Sequence, residues 1–245
     1  MLHITSTKDA ITTGMKEVSE ALNGGIRRCS LVLIEGDAKS GKSVLSQHFA
    51  HGALFKQDNA VVYYTMDNTP DELIAQMGSM SLYVEHNLAV DRFRVYPIGS
   101  GSPSQKAGVS IQLLVNHITE LPERFNLVVV DSVTKLLLRL NPAGKMDFLQ
   151  SCKVICKQGR SIILAVDNHV FEGKLLLRAY SMSDYYLRLR SCDALIGPGQ
   201  MDDRVIKILE VTKVGGAESR AQQGIKFEIK PKTGIQILPF VTIKV

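Results

Sequence analysis

Short apolar runs alternate with amphipathic segments along the first two-thirds of the chain. The apolar runs predict strands at residues 30–35, 60–66, 93–97, 127–130 and 161–166. The segments between them show helical spacing at residues 44–55, 111–121 and 149–157, and Thr69-Pro70-Asp71-Glu72 has the residue types that begin another helix. This alternation predicts an α/β fold with a mostly parallel central sheet and helices on both faces.

The pattern changes after Tyr180. Further apolar runs separated by turn residues occur at 193–197, 204–213, 224–230 and 234–241. They predict antiparallel strands that extend the sheet at its C-terminal end. Residues 178–190, RAYSMSDYYLRLR, are interpreted as an amphipathic helix whose tyrosines and leucines point inward and whose arginines face solvent.

The composition is that of an ordinary globular protein, with 45% hydrophobic and 22% charged residues in a chain of 245. No linker or internal repeat is visible, so we expect one domain over residues 1–245. Four cysteines are too few for a disulfide framework, no apolar run reaches 18 residues, and the first eight residues lack the apolar stretch of a signal peptide. These features predict a cytoplasmic protein with reduced thiols. The net charge of +5 permits contact with phosphates without requiring it.

Residues 36–43, GDAKSGKS, match the phosphate-loop pattern G-x-x-x-x-G-K-S/T at every fixed position. The glycines let several backbone N–H groups face one phosphate chain, and the following helix adds its positive end. Lys42 is expected to reach the β- and γ-phosphates of ATP, and the Ser43 hydroxyl to hold Mg²⁺. The predicted nucleotide-binding residues of this segment are Gly36, Asp37, Ala38, Lys39, Ser40, Gly41, Lys42, Ser43 and Val44.

Two acids end predicted strands at the edge of the sheet where open α/β folds bind ligands. Asp131 follows the run LVVV, and downstream of a phosphate loop this pattern favours an acid that binds Mg²⁺ through water. Asp67 follows the strand at 60–66, and we interpret it as the general base that orients the attacking water. The alternative for Asp67 is a turn or capping residue ahead of the helix that begins near Thr69.

A third polar group, Asp167-Asn168-His169, ends the predicted strand at 161–166. It is either a sensor of the γ-phosphate, which would pass the nucleotide state to neighbouring loops, or a solvated start of a loop. Cys152 and Cys156 lie one helical turn apart and are expected to face the core.

Three stretches together resemble the RecA/KaiC-like ATPases. They are residues 13–26, TGMKEVSEALNGGI, residues 63–80, YYTMDNTPDELIAQMGSM, and a tail that runs from CDALI at 192–196 to KPKTGIQILP at 230–239. Within that superfamily the chain is most similar to the FlaH (ArlH) branch of the archaellum or to a related single-domain KaiC paralogue. The resemblance implies a RecA-like core that binds ATP and self-association into a ring, commonly a hexamer. For the FlaH branch it also implies a regulatory place beneath the membrane platform of a motor, beside a secretion-type ATPase.

Two positions depart from the family pattern. The family usually has Glu where this chain has Asp67, which implies slow hydrolysis. The family's Lys-x-Arg, donated across the subunit interface to the neighbouring ATP, reads Lys213-Val214-Gly215 here, so Lys213 matches and the arginine is missing. Arg220 is a candidate substitute for that arginine.

Two classes of function remain open from the sequence. The first is a regulatory ATPase whose nucleotide state controls self-assembly and its interaction with motor or secretion-platform proteins. The second is a RecA-like DNA recombination or repair ATPase, which the +5 charge and the tyrosines and arginines of residues 178–190 would favour. We prefer the first, because no separate DNA-binding domain precedes the core, and we expect contact with a membrane only through partners.

Overall fold

A computed structural model describes residues 10–56, 58–99, 107–196, 200–215, 217–218 and 224–238. Its helices are α1 Lys16–Ala21, α2 Lys42–Leu54, α3 Pro70–Ser79, α4 Glu85–Ala89, α5 Ala107–Glu120, α6 Thr134–Leu137, α7 Pro142–Lys157 and α8 Gly173–Met182. Its strands are β1 Leu31–Gly36, β2 Ala60–Thr65, β3 Phe93–Pro97, β4 Phe125–Asp131, β5 Ser161–Asp167, β6 Tyr185–Ile196, β7 Gln200–Val214, β8 Ala217–Glu218, β9 Ile225–Lys230 and β10 Gly234–Ile237. Among these described residues, no helix is long and apolar enough to cross a membrane.

The strands form one sheet in the order β10-β9-β7-β6-β1-β5-β4-β2-β3, with β8 paired to β7. The six consecutive strands from β6 to β3 are parallel to one another. Strands β7, β8, β9 and β10 add antiparallel pairs at one end. The predicted architecture, mostly parallel with antiparallel C-terminal strands, is therefore confirmed.

Helices cover both faces of the sheet. On one face, α2 and α3 pack against the strands through Leu45, Phe49 and Leu73. On the other face, α5 and α7 contribute Ile118 and Phe148 to a second buried cluster. Strands covered on both sides are apolar at successive positions, which explains the continuous runs in the sequence. Cys152 and Cys156 are buried in the second cluster, as expected.

The helix that begins near Thr69 has the predicted N-terminus. The Thr69 hydroxyl accepts a hydrogen bond from the Glu72 N–H, and the Glu72 carboxylate accepts one from the Thr69 N–H, which forms a capping box. The hydrogen bond from Thr69 is the main reason that the pKa of Glu72 is lowered. This cap belongs to Thr69, so Asp67 is not the N-cap of α3.

The predicted helix over residues 178–190 is wrong. Helix α8 ends at Met182, and strand β6 begins at Tyr185 and pairs in parallel with β1. Tyr185 and Tyr186 are almost fully buried. Arg188 and Arg190 form ion pairs with the carboxylates of glutamates in neighbouring strands, so their charges are compensated within the sheet. The prediction failed because the sequence does not show these distant partners.

Candidate functional site

The phosphate loop joins β1 to α2 with the backbone that its sequence requires. Gly41 has a φ of 102° and Lys39 a φ of 62°, both in the left-handed region. A Cβ on Gly36 would lie 2.5 Å from the Leu189 carbonyl oxygen and 2.6 Å from Ser40 Oγ. A larger residue at either glycine would strain or displace the loop, so both glycines are needed for the backbone that the phosphate-loop pattern predicts.

Lys42 lies inside this loop and is 6% exposed. Its ammonium donates to the carbonyl oxygens of Gly36 (3.0 Å) and Asp37 (2.7 Å) and forms an ion pair with Asp167 Oδ1 at 2.8 Å. Asn168 donates from its side chain to the Asp37 carboxylate. The end of β5 therefore touches the phosphate loop directly, which places the proposed sensor residues Asp167 and Asn168 beside the predicted nucleotide site. His169 is exposed.

Asp131 ends β4 next to the loop, as the sequence predicts. Its Oδ1 accepts a hydrogen bond from Ser43 Oγ at 3.0 Å, and its Oδ2 accepts one from the Tyr63 hydroxyl at 2.6 Å. Burial raises the pKa of the Asp131 carboxyl, and the hydrogen bonds from Tyr63 and Ser43 act in the opposite direction. The carboxylate is thus held between a hydroxyl of the phosphate loop and a phenol of β2.

The Ser43–Asp131 pair has the donor chemistry of a magnesium site. The described residues contain no group of three or more His, Cys, Asp or Glu side chains that could hold a metal ion by themselves. Mg²⁺ in nucleotide sites needs few protein ligands because it keeps several waters and binds phosphate oxygens. The Ser43 hydroxyl donates a hydrogen bond to Asp131, which leaves the lone pairs of its oxygen available to a hard cation.

Asp67 lies just beyond the end of β2 and is 64% exposed in its side chain. Its Oδ1 forms an ion pair with Lys135 Nζ at 2.5 Å, and its negative charge contributes to the raised pKa of Asp131. Asn68 donates from its backbone to Thr65 Oγ1 and from its side chain to Gln76 Oε1. The structure brings Asp67 to the same edge as Asp131, and its role as a base stays a prediction.

Lys213 lies elsewhere, on β7. Its ammonium donates to the carbonyl oxygens of Tyr180 (2.8 Å) and Ser181 (3.0 Å) near the C-terminal end of α8, and it lies 5.1 Å from the centre of the Tyr180 ring. Burial lowers its pKa. The Gly215 carbonyl oxygen accepts a hydrogen bond from the Arg27 guanidinium at 2.7 Å. Arg220 lies outside the described residues.

Three side chains of this region were not predicted from the sequence. Tyr63 and Gln47 are fully buried beside Asp131, within a strand and a helix where they look like core residues. Lys207 on β7 donates to the Lys39 carbonyl oxygen of the phosphate loop at 2.6 Å. Nothing in the local sequence marks these residues, because strands and helices distant in sequence bring them to the site.

A family model described as the ATPase KaiC matches residues 11–241 of the chain. The chain belongs to the KaiC ATPase family. The archaeal flagellar ATP-binding protein FlaH of Sulfolobus acidocaldarius is 27% identical over 232 residues, which cover 94% of this chain and 96% of that protein. The FlaH protein of Methanocaldococcus jannaschii is 25% identical over 227 residues, which cover 90% of this chain and 91% of that protein.

The fold of this KaiC-family chain is also found in a solved structure. The crystal structure of the flagellar accessory protein FlaH from Methanocaldococcus jannaschii matches with a TM-score of 0.72 and 21% identity, over 95% of this chain and 99% of that one. These comparisons confirm the resemblance to KaiC-like ATPases and to FlaH, and the RecA-like fold. Membership of this family implies nucleotide binding.

Proposed function

We propose that this chain is an ATP-binding regulatory ATPase with weak hydrolysis, whose nucleotide state controls self-assembly and interaction with a motor or secretion platform. The observation that carries this proposal is the convergence of Lys42, Ser43 and Asp131 at one edge of the sheet. We further propose that residues 1–245 form one ATPase domain in the cytoplasm, held at a membrane only through a motor complex.

The phosphate loop supplies the binding chemistry. Backbone N–H groups of residues 36–44 would bind the phosphates, and the N-terminal end of α2 would favour their negative charge. Lys42 would exchange its ion pair with Asp167 for contacts with the β- and γ-phosphates. Mg²⁺, held by Ser43 and by Asp131 through water, would neutralise charge on the phosphate oxygens.

Slow hydrolysis is supported by the surroundings of Asp67. Its side chain is one methylene shorter than that of glutamate, and it is paired with Lys135. A base that is shorter and held by a cation is poorly placed to orient and deprotonate a water molecule. We propose that Asp67 serves as this weak base and that turnover is low for this reason.

Assembly into a ring is the part of the proposal that rests on relatives. The FlaH proteins with which the chain aligns over most of its length are named as archaeal flagellar ATP-binding proteins. We propose by analogy a ring-like homo-oligomer, commonly a hexamer, whose surface changes when ATP orders the loops after Asp67 and Asp167. That change would alter the surface offered to a platform protein.

Size-exclusion chromatography with light scattering tests the assembly. We expect the wild-type mass to increase when Mg-ATP is added, and we expect Lys42→Ala to elute identically with and without nucleotide. Equal wild-type masses in the two conditions would refute nucleotide-controlled assembly while leaving ATP binding intact.

Asp67→Asn tests the base. This substitution should leave ATP affinity unchanged and lower the steady-state rate of phosphate release, since an amide cannot accept a proton from water at neutral pH. An unchanged rate would make Asp67 a turn residue. Lys135→Met removes the cation and keeps the carboxylate, so it should instead raise the rate.

The structure offers little support for the DNA-binding alternative. Of the three tyrosines that could have stacked on bases, Tyr185 and Tyr186 are buried, and Tyr180 is half-buried with its ring against that of Tyr186. Arg188 and Arg190 are paired with carboxylates of the same chain. Binding of single-stranded DNA at low salt that weakens steeply with added salt would nevertheless favour that alternative.

A further inference from the structure

We propose that Tyr63, supported by Gln47, is a positioning residue that orients Asp131 for the metal of the bound nucleotide. This inference rests on the proposed ATP-binding function and assigns a role to residues that no sequence motif marks. It follows from the position of the two Asp131 oxygens, from the packing of the Tyr63 ring and from a chain of side-chain amides behind it.

The Asp131 carboxylate has a different hydrogen-bond donor at each oxygen. Ser43 donates to Oδ1 at 3.0 Å, and Tyr63 donates to Oδ2 at 2.6 Å. A carboxylate anchored at both ends cannot rotate without breaking one of these bonds. The plane of the Asp131 carboxylate, and with it the direction of its remaining lone pairs, is therefore set by Tyr63 as much as by the phosphate loop.

The position of the Tyr63 hydroxyl follows from the packing of its ring. Tyr63 is fully buried in β2, where its backbone is paired with Val129 of β4. Its ring meets the Phe93 ring edge to face, with 6.5 Å between the ring centres. Burial and this ring contact restrict the rotamers of Tyr63, which favours a single position for its hydroxyl.

Gln47 and Gln76 extend this arrangement to the turn after β2. Gln47 lies one helical turn after Ser43 on α2 and is fully buried close to the Tyr63 hydroxyl, and its side-chain carbonyl oxygen has no hydrogen-bond partner among the described residues. Its amide donates to Gln76 Oε1 on α3 at 2.9 Å, and Asn68 donates to that same oxygen at 3.4 Å. Hydrogen bonds thus join Asn68, Gln76 and Gln47, and they bring this row of polar side chains up to the Tyr63 hydroxyl that binds Asp131.

This network has a chemical reason to exist beside a metal. A buried carboxylate that loses one hydrogen bond either turns toward its remaining donor or draws water into the core. Groups that orient a metal ligand from behind typically change metal affinity by about 10- to 100-fold when they are removed. The phenol is a neutral donor, so it orients Asp131 while leaving its negative charge available to the cation.

The test compares two adjacent tyrosines of β2. Tyr63→Phe removes only the hydroxyl that binds Asp131. Tyr64→Phe removes a hydroxyl that binds His117 Nδ1 at 2.7 Å on the other face of the sheet, and it serves as the matched control. Each variant is titrated with Mn²⁺ in the presence of ATP, with free Mn²⁺ measured by electron paramagnetic resonance, and its ATP affinity is measured separately in EDTA.

We expect Tyr63→Phe to weaken Mn²⁺ binding to the ATP complex by at least about 10-fold while its ATP affinity in EDTA stays within about twofold of wild type. Tyr64→Phe should match wild type in both measurements. Gln76→Ala, an exposed substitution at the far end of the network, should weaken Mn²⁺ binding by a smaller factor, and it provides a test even if Tyr63→Phe does not fold.

Two results would overturn the inference. Equal Mn²⁺ affinities for wild type, Tyr63→Phe and Gln76→Ala would show that Asp131 is oriented without this network. An equal loss in Tyr64→Phe would show that any disturbance of β2 has the same effect. Failure of the proposed function is distinguishable, because wild type would then bind no ATP in either Mn²⁺ or EDTA.

Discussion

The two lysines predicted to contact ATP phosphates, Lys42 and Lys213, are equally buried at 6% exposure and lie in opposite halves of the sheet. Lys42 follows the parallel strand β1 and faces the phosphate loop and Asp167. Lys213 lies on the antiparallel strand β7 and faces carbonyl oxygens at the end of α8 of its own chain. The two lysine side chains are therefore equally buried but have different neighbours. One ammonium lies within the predicted phosphate loop, and the other lies at the C-terminal end of a helix, where a cation is stabilising.

The antiparallel half nevertheless contacts the phosphate loop, through residues other than Lys213. Lys207 of β7 binds the Lys39 carbonyl oxygen. His48 of α2 accepts a hydrogen bond from the Ile235 N–H of β10 at 3.1 Å. These two contacts join the antiparallel strands to the predicted phosphate loop and to the helix that follows it.

Of the substitutions that test these two environments, replacing Lys42 should have the largest effect, and the effect is on ATP affinity. Lys42→Ala should reduce ATP affinity by about 100-fold or more, equivalent to about 2.7 kcal/mol, because the loop loses its phosphate-facing cation. Calorimetric titration with Mg-ATP measures this loss, and circular dichroism checks that the fold is kept. Wild-type affinity in Lys42→Ala would contradict the assignment of residues 36–44 as the nucleotide loop.

The contact between α2 and β10 should make stability depend on pH. Burial, with a further contribution from the charge of His51, lowers the pKa of His48 to about 4. The unfolded chain gains this proton near pH 6.5, whereas the folded chain resists it until about pH 4, so stability is present above pH 6.5 and is lost as the pH falls. We expect His48 to account for a loss of about 2 kcal/mol in the free energy of unfolding between pH 7.5 and pH 5.

Urea denaturation of His48→Gln at these two pH values measures the effect. Glutamine can still accept the Ile235 hydrogen bond but does not titrate, so this variant should lose about 2 kcal/mol less than wild type on acidification. The exposed His86→Gln is the control and should behave as wild type. Equal pH dependence in wild type and His48→Gln would assign the acid sensitivity to other groups.

Replacing Lys213 distinguishes a structural lysine from a nucleotide ligand. Lys213→Met keeps the aliphatic chain and removes the hydrogen bonds to the end of α8, so the free energy of unfolding should fall by about 1 kcal/mol. The ATP affinity of the dilute protein should stay unchanged. Full stability combined with weaker ATP binding at concentrations where the protein assembles would instead support a role for Lys213 across a subunit interface.

Lys207 should give the smallest change. Lys207→Met removes one contact to the backbone of the phosphate loop, and ATP affinity should fall by about threefold, equivalent to about 0.6 kcal/mol. The exposed Lys226→Met on β9 removes a charge from a neighbouring strand and should have no effect. Identical affinities for the two variants would show that the antiparallel half does not influence the nucleotide site through Lys207.

The success and failure of the sequence predictions follow one physical distinction. The loop between β1 and α2 is predicted at the correct place because its pattern lies within eight consecutive residues, and the cap of α3 is predicted because Thr69 and Glu72 are three residues apart. Residues 178–190 are misread because the strand pattern of Tyr185 to Arg190 depends on distant partners. Arg188 is neutralised by Glu35 of β1, and Arg190 by Glu210 of β7.

The sequence by itself determined the alternating α/β pattern, the GDAKSGKS loop after β1, the acid that ends β4 and the acid that follows β2, because each depends on chemistry between near neighbours in the chain. The tertiary structure alone decided what surrounds those groups. It brings the Tyr63 hydroxyl into a hydrogen bond with Asp131, pairs Asp167 with Lys42, and brings Lys213 to the carbonyl oxygens at the C-terminal end of α8. Contacts between segments separated by tens of residues are set by the pairing of strands, and no local spacing records them.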